Sequence, residues 1–365
     1  MNILILGGYG STGRLLAKHL LQQTRHKLII AGRHLEKAEA LVKEYASNRL
    51  AARQVDASDS RSMKAALQDI DFLLVAAPTT HQTEAVVRAA IEARVDYLDV
   101  QFSDEKLSIL RAHEKQIKRR QLCFVTEAGY HPGLPSAMIR YAASQVDCLE
   151  SALTSGYLSV GKNFPYTEAV DELTEGFLNY QAQVFKNGQW TKTGSYDTRK
   201  FDFGGNIGKR ECYSMFFEEL RDLPKAIPSL QEAGFYISGM GALADTLTMI
   251  VLLGLKVAPR RGFKPLGKLM WWTMTRLSSP PYRVVLQVEA RGQKRSRPVQ
   301  FRTQIAHDDG YEMTAIPVVA LLMQYEKVRR PGLHMMGHLA EPGRLFKDMQ
   351  RMGVSIQTES IISVN

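Results

Sequence analysis

The chain opens Asn2-Ile3-Leu4-Ile5-Leu6-Gly7-Gly8-Tyr9-Gly10-Ser11-Thr12-Gly13. A short apolar run meets closely spaced glycines. An apolar face of helical period follows, with Leu15, Leu16, His19 and Leu20 recurring on it. Strand, glycine turn and helix in that order mark a dinucleotide-binding turn. Gly7 and Gly10 let the backbone pass close to a pyrophosphate where a Cβ would clash, and Gly13 lets the helix pack tightly on the strand. The open N–H groups at the helix start, with its dipole, then face the anion. Gly7, Tyr9, Gly10, Ser11, Thr12 and Gly13 are therefore the expected pyrophosphate cradle.

Outward from this turn, strands alternate with helices through the first third of the chain. The strands are expected at 2–6, 27–31, 51–55, 71–77, 97–100 and 121–126. The helices between them are expected near 12–22, 35–46, 60–68, 81–93 and 103–119, with Ser103 as the N-cap of the last. That rhythm predicts an α/β fold, a Rossmann doubly wound parallel sheet of strand order 3-2-1-4-5-6, with ligand at the carboxyl ends of the strands.

The second strand ends Ala31-Gly32-Arg33. An Asp or Glu here would hold a ribose 2′-hydroxyl, whereas a guanidinium can grip a 2′-phosphate and stack on adenine. NADP(H) is therefore expected over NAD(H). Asp56, after the third strand, is the candidate for the adenine edge. Its bland alternative is a helix cap, which Asp59 or Ser60 can supply instead. Ala76, Ala77 and Pro78 end the fourth strand, where small residues allow a ribose to lie against the backbone. Asp99 ends the fifth strand, and Glu127, Tyr130 and His131 follow the sixth. All four lie at the ligand side, and Tyr130, His131 and Asp99 are the candidates for the proton that a reduction requires. Each also has an ordinary structural reading, as a loop brace or a satisfied buried group.

After Pro135 the rhythm changes. A helix near 135–146, a strand around 149–160 and a long helix over 165–185 are expected. Val284, Leu286 and Val288, and then Val299, Phe301, Thr303 and Ile305, alternate on either side of a turn-like 291–296 and predict an antiparallel hairpin. The expected domains are 1–135, nucleotide-binding; 136–316, a second α+β domain with a mainly antiparallel sheet for substrate and dimerisation; and 317–365, carboxyl-terminal helices returning to the Rossmann domain.

A chain of 365 residues, 45% hydrophobic, is large enough for two cores, and its formal charge is +10. A basic surface suits an anionic coenzyme, an acidic substrate or a membrane face. No nucleic-acid motif accompanies it, so no nucleic-acid partner is expected. Cys123, Cys148 and Cys212 lie far apart, which argues against a disulfide framework and against a metal site. Cys123 sits in an apolar run and reads as a buried thiol. No signal peptide precedes the first strand, and the run from Thr246 to Leu255 is too short to cross a bilayer. A cytoplasmic protein is expected. No acidic residue falls between Asp245 and Glu289, while Lys256, Arg260, Arg261, Lys264, Lys268, Arg276 and Arg283 do, interleaved with Trp271 and Trp272. The 256–277 segment reads either as a helix packing its tryptophans inward or as a peripheral contact with the inner membrane surface.

The residues GGYGSTGR at 7–14, AGR at 31–33, VDASD at 55–59, LLVAAP at 73–78, DYLDV at 96–100 and AGYHPGLPS at 128–136 together resemble the saccharopine dehydrogenase (saccharopine reductase)-like NADP-binding oxidoreductase superfamily. The likeness is strong over 1–136 and looser beyond, through FDFGGNIGKRECYSMFF at 201–217. It implies a two-domain NADPH-dependent oxidoreductase that reduces an imine or a related polarised double bond, with a small-molecule substrate. A homodimer through the antiparallel sheet is expected from the architecture. At the position where relatives often carry an acid, this chain has His131. Two other readings stand beside it: a membrane-surface enoyl or lipid reductase, and a non-catalytic NADP(H)-binding regulatory protein.

Overall fold

The computed structural model describes the whole chain except residues 162–163, 167–169, 172–173, 175–180, 195–196, 240–246, 248–249, 252–253, 255–262 and 363–365. Its first strands are β1 (Asn2–Leu6), β2 (Lys27–Gly32), β3 (Leu50–Gln54), β4 (Phe72–Val75), β5 (Asp96–Asp99) and β6 (Cys123–Thr126). Helices α1 (Ser11–Gln23), α2 (Leu35–Tyr45), α3 (Ser60–Ala66), α4 (Thr83–Ala93) and α5 (Asp104–Arg119) lie between them, and α6 (Leu134–Ser144) follows. Then come β7 (Cys148–Leu158), β8 (Gln183–Lys186), β9 (Gln189–Lys192), β10 (Thr198–Asp202), β11 (Lys209–Met215), β12 (Glu232–Ser238), α7 (Phe263–Arg276), β13 (Val284–Lys294) and β14 (Arg297–His307). The chain ends with α8 (Gly310–Val328), β15 (Gly332–Met335), α9 (Pro342–Arg351) and β16 (Ser355–Ile362).

Two compact units result: Met1–Leu134 with Tyr311–Met349, and Pro135–Gly310 with Gln350–Asn365. The first unit is built on a seven-stranded sheet of order β15-β6-β5-β4-β1-β2-β3. All its pairs are parallel, from Ile3 against Leu28 and Phe72 to Leu333 against Phe124. The expected order 3-2-1-4-5-6 is present, with β15 added at the far edge. Such a sheet is covered on both faces, so its strands read as unbroken apolar runs: Ile3, Leu4, Ile5, Phe72, Leu73, Leu74 and Val75 are fully buried. Helix ends follow local chemistry. Ser103 Oγ accepts from Lys106 N–H at 3.3 Å at the start of α5, and Asp59 Oδ1 accepts from Arg61 N–H at 2.8 Å at the start of α3.

Strand β15 was not apparent in the sequence. Gly332, Leu333, His334 and Met335 carry little apolar pattern, and the strand forms because the backbone edge of β6 needs a partner. Buried Asp96, at the start of β5, secures the segment that delivers it. Its carboxylate accepts from Arg329 Nε at 2.6 Å and Nη2 at 3.1 Å, from Tyr325 Oη at 2.8 Å and from Cys123 N–H at 2.8 Å. The Tyr325 ring meets Phe72 edge-on at 5.0 Å.

The second unit carries a nine-stranded sheet with the path β10-β11-β12-β7-β13-β14-β16, and β8 and β9 branch from β12. It is mixed. β12 runs parallel to β7, while β13 pairs antiparallel with both β7 and β14. The expected hairpin is present and longer than its pattern suggested. The strands run on to Lys294 and Arg297, and Arg295 and Ser296 turn the chain at φ 52° and 59°. Helices were expected to run to the carboxyl end, but Ser355–Ile362 is a strand of the second unit, paired with β14 from Ile362 opposite Val299 to Ser355 opposite Ala306. It covers an edge of β14 that would otherwise present unpaired N–H and C=O groups. The long helix expected over 165–185 lies in good part outside the described residues, and its last three positions, 183–185, fall in β8 (Gln183–Lys186). No helix among the described residues is long and apolar enough to cross a membrane.

Replacing Asp96 with Asn keeps the shape of the fastening and removes its charge. Charge-assisted bonds to a buried carboxylate predict a loss of roughly 2 kcal/mol, tempered by the partial exposure of Arg329. Urea denaturation of the two proteins would measure it, and an unchanged midpoint would show that Asp96 does not secure the carboxyl-terminal segment.

Candidate dinucleotide site

The carboxyl ends of β1, β2, β4, β5 and β6 lie along one margin of the parallel sheet. β1 sits between β2 and β4, where the strand order reverses, which is the position at which such sheets bind ligands. Gly7 takes φ 81°, and its N–H donates to Ala31 O at 2.8 Å. A Cβ on Gly7 would lie 2.7 Å from the Ala77 Cβ, and one on Gly13 would lie 2.2 Å from the Gly7 carbonyl oxygen. Both glycines are thus required by close approach, of strand to strand at Gly7 and of helix to turn at Gly13. Gly10 differs, because it is exposed and stands at the N-cap of α1 with no side-chain cap hydrogen bond. No acidic residue occupies the first turn of α1. An uncapped helix start of positive dipole, next to a turn that side chains would fill, fits a diphosphate. Exposed Ser11 and half-buried Thr12 lie on that first turn.

Arg33 is exposed at the end of β2, and its carbonyl accepts from Gln54 Nε2 at 3.1 Å. Asp56 serves its own loop. Its Oδ1 accepts from Ser58 N–H at 2.9 Å and from Ser58 Oγ at 2.7 Å. Those two bonds, with some help from the Arg33 charge, hold its carboxyl below the usual range. Asp59, not Asp56, caps α3. Ala76 and Ala77 are partly accessible and Pro78 is exposed, so the end of β4 offers a low wall beside the turn.

The proton candidates separate into two kinds. Asp99 is fully buried and engaged on several sides. Thr126 Oγ1 donates to it at 2.9 Å, Gln101 N–H donates at 3.2 Å, and the buried ammonium of Lys106 lies 3.4 Å away. Lys106 Nζ also donates to Gln101 Oε1. A carboxylate so held braces the ends of β5 and β6. Lys106 escaped the sequence reading, although a signal was there. It shares the inward face of α5 with Leu107, Leu110 and Ile117, and a lysine in that row needs a buried anion. Tyr130 and His131 differ from Asp99, with ring centroids 3.9 Å apart. Burial pushes the Tyr130 phenol well above its usual value and lowers His131 to about 4. His131 as a residue is partly accessible, but its ring Nε2 is shielded from solvent. At neutral pH the pair is a protonated phenol beside a neutral imidazole. Glu127 is buried and takes φ 52°.

Cys123 and Cys212 are buried, and desolvation raises both thiols, Cys212 to about 12. Such thiols are poor nucleophiles. Among the described residues, no group of three or more His, Cys, Asp or Glu side chains is placed to hold a metal ion. In the second unit the 203–205 turn lines a cavity of about 200 Å³ with Arg302, Gln304, Gln357 and Glu359. Arg302 is already engaged there, by the Asp202 carbonyl at 3.0 Å and Glu359 at 2.8 Å.

Residues 3–126 match the sequence model of the saccharopine dehydrogenase NADP binding domain. This region is similar to the NADP-binding domains of saccharopine dehydrogenases. Across 263 residues the chain is 22% identical to the carboxyaminopropylagmatine dehydrogenase of Synechocystis sp., a match that spans 68% of this chain and 65% of that relative's length. The apo saccharopine dehydrogenase (L-Glu forming) of Saccharomyces cerevisiae superposes with a TM-score of 0.69 at 15% identity, covering 99% of each chain, and shows the same fold. NADP is the coenzyme named by the matched model and the one expected from the sequence.

Because His131 is lowered on folding, the unfolded chain binds a proton that the native state refuses between about pH 6.5 and about pH 4. Stability therefore rises with pH across that window. In His131→Gln the slope of unfolding free energy against pH should flatten there by up to one proton. Urea titrations at spaced pH values read it, and an identical slope in both proteins would place the imidazole in water.

Proposed function

We propose that this protein is an NADPH-dependent oxidoreductase that reduces an imine or a related polarised carbon–heteroatom double bond. One observation carries the reading. The uncapped glycine cradle and the Tyr130–His131 pair belong to one compact unit and stand at the same, carboxyl, margin of its parallel sheet. Main-chain N–H groups of the first turn of α1 would hold the pyrophosphate, and Arg33 the 2′-phosphate. When bound, the coenzyme supplies hydride at the nicotinamide C4. Tyr130 keeps its proton on the phenol oxygen and offers a hydrogen bond to the heteroatom of the reacting bond. His131, unprotonated, accepts from the same group or orients it. Asp99, Thr126, Gln101 and Lys106 set the loop that carries the pair. That relatives are named dehydrogenases supports the class. A non-catalytic sensor of NADP(H) would need the same cradle, and turnover distinguishes the two readings.

Titration calorimetry with each coenzyme should give at least tenfold tighter binding of NADPH than of NADH, in line with a charge-assisted phosphate contact of about 1.5–3 kcal/mol. A panel of keto acids with amines should then oxidise NADPH. Tyr130→Phe should lower kcat by about 10²-fold while leaving the NADPH Kd unchanged. Equal affinity for both coenzymes overturns the coenzyme assignment. Tight binding without turnover on any substrate would favour the sensor.

We infer a second property from helix α7, a contact with an anionic membrane surface. The two tryptophans of its sequence part company. Trp271 turns inward, with Nε1 donating to Phe164 O at 3.0 Å and its ring edge-on to Tyr166 at 5.9 Å. Trp272 is 44% exposed. Exposed Lys268 and Arg276 stand one turn to either side of it on the same helix face. An indole between two cations suits the headgroup layer. Lys256, Arg260 and Arg261, also expected there, lie outside the described residues. Co-sedimentation with phosphatidylglycerol vesicles should fall several-fold in Trp272→Ala and should be weak with phosphatidylcholine. Wild-type protein that ignores anionic vesicles removes this reading.

A further inference from the structure

The glycine turn contains one large side chain, Tyr9, and its position ties together two parts of the nucleotide site that are far apart in sequence. The Tyr9 ring lies directly on the backbone of Gly32. A Cβ built on Gly32 would lie 2.6 Å from both Cε1 and Oη of Tyr9 and 2.7 Å from Cζ. The phenol oxygen accepts from His34 N–H at 3.2 Å. Between Gly32 and His34 stands Arg33. Its peptide is gripped from the other side as well, by Gln54 Nε2 on the Arg33 carbonyl at 3.1 Å and by Val55 N–H on the Gly32 carbonyl at 2.9 Å.

We propose that Tyr9 is a positioning residue for coenzyme selectivity: its phenol straps the end of β2 to the pyrophosphate turn and so pre-orients Arg33 toward the 2′-phosphate. The proposal rests on the reading of Arg33 as the 2′-phosphate cation. An exposed arginine at a strand end samples many rotamers over a backbone free to rotate, and ordering both on binding weakens affinity. Anchoring the peptides on both sides of Arg33 removes the backbone part of that cost before ligand arrives. It also fixes the distance between the diphosphate cradle and the cation, because one residue of the cradle is itself the strap. Gly32 is the complement: any side chain there would push the phenol off. The charges around the cation are Asp56, which feels Arg33, and the His34–Glu36 pair at 3.4 Å. Neither replaces the strap, since neither touches the Arg33 backbone.

The test measures the Kd of NADPH and of NADH by calorimetry on the full-length protein, in wild type, Tyr9→Phe, Gln54→Ala, Arg33→Ala and the Tyr9→Phe/Arg33→Ala double variant. Tyr9→Phe removes only the hydroxyl. It should weaken NADPH by about three- to tenfold, the usual size of one hydrogen bond, and NADH by less than twofold. Gln54→Ala, which loosens the other tether, should act in the same direction. On the Arg33→Ala background Tyr9→Phe should have no further effect, because the phenol acts through the guanidinium. Equal weakening of both coenzymes by Tyr9→Phe, no weakening of either, or a full effect persisting on Arg33→Ala overturns the strap. The underlying reading fails separately: Arg33→Ala retaining the wild-type preference for NADPH shows that Arg33 is not the clamp, whatever Tyr9 does. A folding defect is recognised by far-ultraviolet circular dichroism, and Gln54→Ala then carries the test.

Discussion

The constraint on which the first unit depends is the closeness of backbone at Gly7, Gly8 and Gly13. The place of a side chain on residue 13 is taken by the Gly7 carbonyl at 2.2 Å, and that of one on residue 7 by Ala77 at 2.7 Å. A Cβ on Gly8 would meet the Ile5 carbonyl at 2.9 Å. Strand β1, strand β4 and the start of α1 therefore meet at one knot. With it closed, the first turn of α1 aims its N–H groups over the sheet margin and the end of β4 lies beside the turn. The charge preference of the site follows from that alignment, before any side chain is considered.

The two carboxylates of β5 illustrate how similar chemistry serves different ends. Asp96 and Asp99 bound the same short strand, and both are buried. Asp96 receives the guanidinium of Arg329 and the hydroxyl of Tyr325 and fastens a distant part of the chain. Asp99 receives Thr126, Gln101 and Lys106 and shapes the margin where Tyr130 and His131 stand. The strand between them is thus held at both ends, which supports a loop carrying buried titratable groups against their desolvation cost.

Much of the first unit was legible in the sequence because its signals are local. Apolar runs, glycine spacing and N-caps such as Ser103 depend on neighbours within a few residues. NADP as the coenzyme was legible too, because the glycine turn and the Ala31-Gly32-Arg33 strand end are local signals of the same kind. Strands β15 and β16 were not, because Gly332–Met335 and Ser355–Ile362 adopt extended form only where β6 and β14 offer an edge. The site was read as a set of residue types, and burial then divided it. Asp99 and the Tyr130–His131 pair look equivalent as titratable residues near strand ends. Lys106 separates them, a long-range partner whose only trace is a cation on an apolar helix face. Trp271 and Trp272 are likewise adjacent letters with opposite surroundings.

The nucleotide-binding unit is discontinuous, and β15 joins its sheet from beyond residue 330. During synthesis the ribosome releases six of its strands early, but the seventh emerges only after nearly the whole of the second unit has been made. Until then β6 is an open edge, and Asp96 waits without Arg329 and Tyr325. The nascent chain thus carries an unfinished sheet while the second unit is being made, and its completion waits for residues 311–349. A truncation that removes Gly332–Met335 would accordingly damage the amino-terminal fold, far along the sequence from the cut.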